Sequence, residues 1–126
     1  MNVYAIVVAA VSSFLLGGLW YSPAVFGKAW NQANGGVPVP GHPGRVFGVS
    51  LLFCLLAATA FAWLLGPAPA LSRALLVALV VGGGMVAASF GVNYQFSQRS
   101  LRLWLIDGGY HLFQFLLFAV VLGLWH

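Results

Sequence analysis

Three side chains with chemistry to offer stand close together late in the chain: Asp107, His111 and Gln114, spaced i, i+4 and i+7. If the stretch is helical, all three project from one face. A carboxylate and an imidazole paired in a low dielectric can be tuned toward neutral pH, so one reading is a proton or ion relay or a site for a polar headgroup. The other is structural, with the three acting as interhelical hydrogen-bonding groups that fix the register of their helix. Ser89 and Asn93, four residues apart, and Tyr110 are the expected partners, with Gln95 a further candidate. Arg99, Arg102 or Lys28 would bring the opposing charge.

Other chemistry finds little support. His111 is the one histidine inside an apolar run, so bis-histidine ligation of a haem or pigment would need a second chain. No Ser/His/Asp or Cys/His set, phosphate-cradling glycine loop or zinc spacing is present. No cofactor, metal or catalytic residue is therefore expected, and enzyme activity is the weakest reading. His42, in a Pro- and Gly-rich loop, reads as a solvated histidine, with ligand or pH sensor as the alternatives. Cys54 has no partner for a disulfide and reads as a small packing residue.

The elements that must position these groups follow from composition. Of 126 residues, 62% are hydrophobic and 5% charged, with a formal net charge of +4; soluble domains usually carry about a quarter charged residues. The few basic residues are too dispersed to track phosphates, so nucleic acid is not an expected partner. A membrane-crossing helix needs ~20 apolar residues, and charges and prolines divide the chain into four such stretches, at 3–20, 46–65, 74–93 and 101–125. The expected fold is all-α: one polytopic membrane domain over 1–126, with four transmembrane helices in an antiparallel bundle. Lys28, Arg45, Arg99 and Arg102 flank the first and third loops, against Arg73 alone on the other side. The positive-inside rule then puts those loops in the cytoplasm and both termini outside. The five tryptophans read as aromatic belts at the two interfaces.

Lipid tails are as apolar as leucine, so helices in a bilayer hold together by close backbone approach. Small residues recur at every fourth position: Ala5, Ala9, Ser13 and Gly17; Ser50, Cys54, Ala58, Ala62 and Gly66; Gly83, Ala87 and Gly91. They read as packing faces within the bundle or, alternatively, as a dimer face, while the fourth span lacks such a stripe. Gly82, Gly83 and Gly84 in succession allow a kink or a close contact. After the first span, Ser22 and Pro23 fit a helix cap followed by proline at the first helical position. Phe26 and Trp30 then share a face while Lys28 points elsewhere, which predicts a short interfacial helix.

The run Trp20-Tyr21-Ser22-Pro23 followed by Phe26-Gly27-Lys28-Ala29-Trp30 resembles the signature of the bacterial membrane family known as domain of unknown function 1761. Asn93-Tyr94, Phe96, Arg99 and the run 105–110 are similar to its second characteristic region. The resemblance spans nearly the whole chain and implies a small four-helix protein of the bacterial inner membrane; it brings no activity. The leading expectation is a structural or accessory protein that packs against itself or a larger membrane complex, in contact with membrane lipids. A small-solute, lipid or proton carrier using the Asp107 face is the alternative.

Overall fold

The computed structural model describes residues 1–126 and is helical, without strands. Four of its five helices are long and apolar enough to cross a membrane: α1 (Val3–Trp20), α3 (Pro43–Leu65), α4 (Leu71–Phe96) and α5 (Leu101–Leu124). The fifth, α2 (Gly27–Ala33), is a short helix after the first span. The ends are set by local hydrogen bonding. Asn2 Oδ1 accepts from the Ala5 amide at 3.1 Å, and Ser100 Oγ accepts from the Leu103 amide at 3.1 Å, each filling one of the donors a helix start leaves open. α3 opens at Pro43, earlier than the expected 46, because His42 caps it through Nδ1 and proline is tolerated in the first turn. His42 thus has a local structural task. At the other end, Gly66 leaves α3 at φ 76°, and the Arg73 guanidinium donates to the Leu65 carbonyl at 2.7 Å.

Met1, Pro67 and His126 border one cavity, so both termini and the second loop share an end of the bundle. Asn34 accepts from Arg99 at the opposite end, bringing the first and third loops together. The spans therefore run antiparallel. α5 is the central one: half of its most apolar stretch is buried, against 28% for α1 and α3 and 17% for α4. It packs along α4 and α1, and α1 carries α3; α3 does not pack along α4, which leaves that side of the bundle open.

The small residues explain how the backbones approach. Ala5, Ala9, Ser13, Cys54, Ala58, Ala62 and Ala87 are buried, around the edge-to-face rings of Phe61, Phe115 and Phe118. Gly17 and Gly91 lie under aromatic rings, since a Cβ there would stand 3.2 Å from Tyr110 Oη or from Trp104 Nε1. Gly83 is half-buried and Gly66 ends its helix. Ser50 departs from the stripe and is exposed, because the part of α3 that carries it stands on the open side. α5 has no repeating stripe, yet it has isolated contact glycines: a Cβ on Gly109 would meet Trp20 at 3.2 Å, and one on Gly123 would meet Leu71 Cα at 3.1 Å.

Within α4, Leu79–Ala87 is wound as a π-helix. Such wide turns are usually single bulges inserted in α-helix, and here Gly82, Gly83 and Gly84 lie at the centre of the segment. Gly82 also touches α5 directly, since a Cβ would lie 3.2 Å from the His111 carbonyl and from Leu112 Cα. The glycine run is therefore a contact within the chain.

Candidate functional site

The first loop folds back so tightly that its aromatic residues point into the bundle. The Phe26 amide donates to the Trp20 carbonyl and the Gly27 amide to that of Ser22, both at 2.9 Å. A Cβ on Gly27 would sit 2.4 Å from the Tyr21 carbonyl oxygen, so only glycine lets the chain pass. The expected Ser22 cap does not form. The Ser22 hydroxyl instead donates back to Leu19 O at 2.7 Å, closing α1, and Pro23 lies in the turn, so α2 begins at Gly27 rather than Pro23. Phe26 packs on Trp20 with ring centroids 4.7 Å apart. Trp30 and Tyr21 are thereby carried over α5, while Lys28 is exposed.

Asp107, 8% exposed, is the target of this turn. Its Oδ1 accepts from the Tyr21 hydroxyl at 2.6 Å and from Trp30 Nε1 at 3.0 Å. Its Oδ2 accepts from the Tyr94 hydroxyl on α4. Three uncharged donors thus converge on a carboxylate, and hydrogen bonds to a charged acceptor contribute ~1.5–3 kcal/mol each. Beside them Trp20 Nε1 donates to Ile106 O at 3.0 Å. Burial, then the bond to Asp107, raises Tyr21 well above the ordinary phenol value of 10.0, so this hydroxyl keeps its proton.

The carboxylate's partners differ from those expected. Ser89 and Asn93 are exposed and border a separate hollow on α4, away from Asp107. The face of α4 turned to α5 runs through Ala87, Gly91 and Tyr94, and Ser89 is about 200° round the helix from Ala87 at ~100° per residue. Nor do the cations reach the carboxylate directly. Arg99 donates to Asn34 and lies 5.1 Å over the Tyr94 ring, and Arg102 approaches Gln32 at 3.5 Å. Arg99 therefore acts at one remove, as a cation on the face of the ring whose hydroxyl reaches Asp107.

The expected cluster along α5 divides in two. Tyr110 donates to Ser13 O at 2.8 Å and does not reach Asp107. His111 Nδ1 and Gln114 Oε1 are 2.8 Å apart, Gln114 Nε2 turns to Cys54 Sγ at 3.7 Å, and the imidazole stacks on Phe90 with centroids 4.8 Å apart. This second group borders a cleft of about 1010 Å³ at the open side, whose walls include Phe47, Phe53 and Val86. Asp107 borders a separate cavity of about 410 Å³, under Trp30, Asn31 and Pro38 of the first loop.

The tryptophans also divide. Trp63 and Trp125 are exposed, as an aromatic belt requires. Trp20, Trp30 and Trp104 are internal donors, and Trp104 Nε1 reaches Ala87 O at 2.8 Å, at the edge of the π-helical segment. That carbonyl lies where the bonding pattern changes from i+5 to i+4, a position where a side-chain donor can satisfy freed backbone. The sequence places Trp30 in an aromatic belt and Tyr21 and Tyr94 only in the family-like runs, with no part in the Asp107 cluster. The signal for Tyr94 was its spacing of i+7 from Ala87 and i+3 from Gly91 on the packing face.

No group of three or more His, Cys, Asp or Glu gathers in a metal-binding arrangement. The site offers an acceptor at Asp107 held by three side-chain donors and an imidazole at the edge of an apolar cleft. A family model described as "Protein of unknown function (DUF1761)" matches residues 4–123. No curated protein and no solved structure matches the chain.

Proposed function

We propose that this chain, which belongs to the DUF1761 family, is a non-enzymatic accessory protein of the bacterial inner membrane, with Asp107 serving as an internal lock. The observation that carries this reading is the set of three side-chain donors on Asp107: Tyr21 and Trp30 share Oδ1, and Tyr94 holds Oδ2. A relay carboxylate needs an exchangeable partner, whereas one tied to two loop residues and a neighbouring span holds elements in place. The basic residues around the first and third loops favour a cytoplasmic location for Asp107, with both termini outside.

The working surface on this reading is lateral, offered to lipid or to another membrane protein. Replacing Asp107 by Asn tests the lock. It leaves volume unchanged but swaps one acceptor oxygen for an amide donor, so the expected result is a lower unfolding temperature in mild detergent. Unchanged stability together with a lost ion or solute flux in vesicles would reverse the assignment. Native mass measurement of the wild-type protein tests the accessory role, for which a second copy or a co-purifying membrane protein is expected. A lipid carrier is the second reading, favoured by the cleft that α1, α3 and α5 line.

A further inference from the structure

The cleft of about 1010 Å³ is the largest cavity described and is lined mainly by residues of the apolar helices α1, α3 and α5. Small-molecule sites commonly enclose ~300–1,000 Å³, so it has room for a lipid-sized occupant. Its walls carry no Asp, Glu, Lys or Arg. Most of its polar groups are already engaged: Tyr21 donates to Asp107, Tyr110 donates to Ser13 O, and Cys54 accepts from Gln114. His111 is the exception. With the Gln114 amide nitrogen toward Cys54 and its carbonyl toward His111, the hydrogen-bond network assigns the imidazole proton to Nδ1 and leaves the lone pair on Nε2. Nε2 has no partner in the chain, while every fully buried side-chain nitrogen and oxygen does have one. Nε2 is therefore accessible, and His111 is among the residues that line the cleft. Ser50, which also lines the cleft, carries a second free polar group, its hydroxyl.

From these observations we propose that the cleft binds a neutral lipid bearing a free hydroxyl, which donates to His111 Nε2 while the chains lie along the Phe47 and Phe53 wall. A charged headgroup would find no counter-charge on these walls, and burying an unpaired charge is costly. A purely apolar occupant would leave Nε2 unsatisfied in hydrocarbon, where each such group also carries a cost. The hydroxyl donor meets both conditions. The assignment uses the second reading above only in requiring the cleft to stay open in the membrane, and it is independent of the Asp107 lock.

The test uses full-length protein in mild detergent with 1,2-dioleoylglycerol as probe and its 3-acetyl ester as the analogue without the hydroxyl. Native mass measurement is expected to show the alcohol retained about tenfold more strongly than the ester. In 15N-histidine-labelled protein, the alcohol alone is expected to move the Nε2 resonance absent from His111→Gln. Ser50→Trp fills the cleft from an exposed position, spares the core and is expected to abolish retention. Equal retention of alcohol and ester, retention that survives Ser50→Trp, or no retention by folded wild-type protein would overturn the assignment. Dimerisation lost in Ser50→Trp without any lipid retention would give the cleft to a second copy and overturn it equally. Retention without movement of the lipid between leaflets supports the ligand class and removes the carrier reading.

Discussion

Tyr21 and Asp107 are 86 positions apart in sequence, and the tyrosine hydroxyl donates to the carboxylate at 2.6 Å. The contact ties the turn after the first span to the central helix. With Trp30 on the same oxygen and Tyr94 on the other, one acid organises parts of the chain from three regions of the sequence. Arg99 on the ring of Tyr94 adds a cation just outside this shell.

The state of Tyr21 gives a prediction in alkali. Its folded-state value lies above the ordinary 10.0, so the folded protein holds this proton more tightly than the unfolded chain. The contribution is fully present below about pH 10 and declines as the pH rises beyond it, because the unfolded state then gains from ionising. Thermal unfolding followed from pH 8 to 11 should be flat at first and then fall. Tyr21→Phe should show a shallower fall, and an identical slope in the two proteins would contradict the burial of this hydroxyl.

Trp30→Phe keeps an aromatic ring but removes a donor from Asp107 Oδ1. A hydrogen bond to a charged group contributes ~1.5–3 kcal/mol, so stability should fall within about that range. The loss should be local first, because the Trp30 indole is one of the few side chains that tie α2 to α5. Proteolysis in the stretch 34–42 should quicken while the spans remain protected. Equal cleavage rates for wild type and variant would show that the indole does not tether the loop.

Two neighbouring glycines should respond in opposite ways. Gly82→Ala places a Cβ 3.1 to 3.2 Å from atoms of α5, two of them main-chain, and overpacking of this kind costs ~1–3 kcal/mol. Gly84→Ala meets nothing within 4 Å and should be neutral, or gain up to ~1 kcal/mol from helix propensity. Unfolding temperatures of the pair compare the two directly. If both variants lose stability equally, the close approach of α4 to α5 at Gly82 is not what makes that glycine necessary.

Much of the fold was legible because a bilayer leaves so few solutions. Charges and prolines bounded the four spans, and the run 3–20 is the helix Val3–Trp20 found in the structure. The fourfold spacing of Ala5, Ala9 and Ser13 identified a buried face because backbone proximity is what holds such helices together. The site was less legible. That Asp107, His111 and Gln114 share a face follows from helical period alone. Which groups meet them depends on how the first loop folds back, and a turn governed by the tight passage at Gly27 carries no periodic signal. Ser89 and Asn93 drew notice for their polarity, but the Ala87–Gly91 face already pointed away from them and toward Tyr94. Trp20 and Trp30 misled for a related reason, since an indole near a membrane boundary suits the interface and an internal acceptor equally well.

The lock is tested most directly by a double-mutant cycle on thermal or denaturant unfolding, with Tyr21→Phe, Asp107→Asn and the pair. Side chains in contact within one hydrogen-bond network show coupling of ~0.5–3 kcal/mol, whereas independent sites add to within ~0.3–0.5 kcal/mol. The account predicts that the double variant loses clearly less stability than the sum of the two single losses. Additive losses would mean that the hydroxyl and the carboxylate act separately, and Asp107 would no longer be the point at which the first loop is fastened to the bundle.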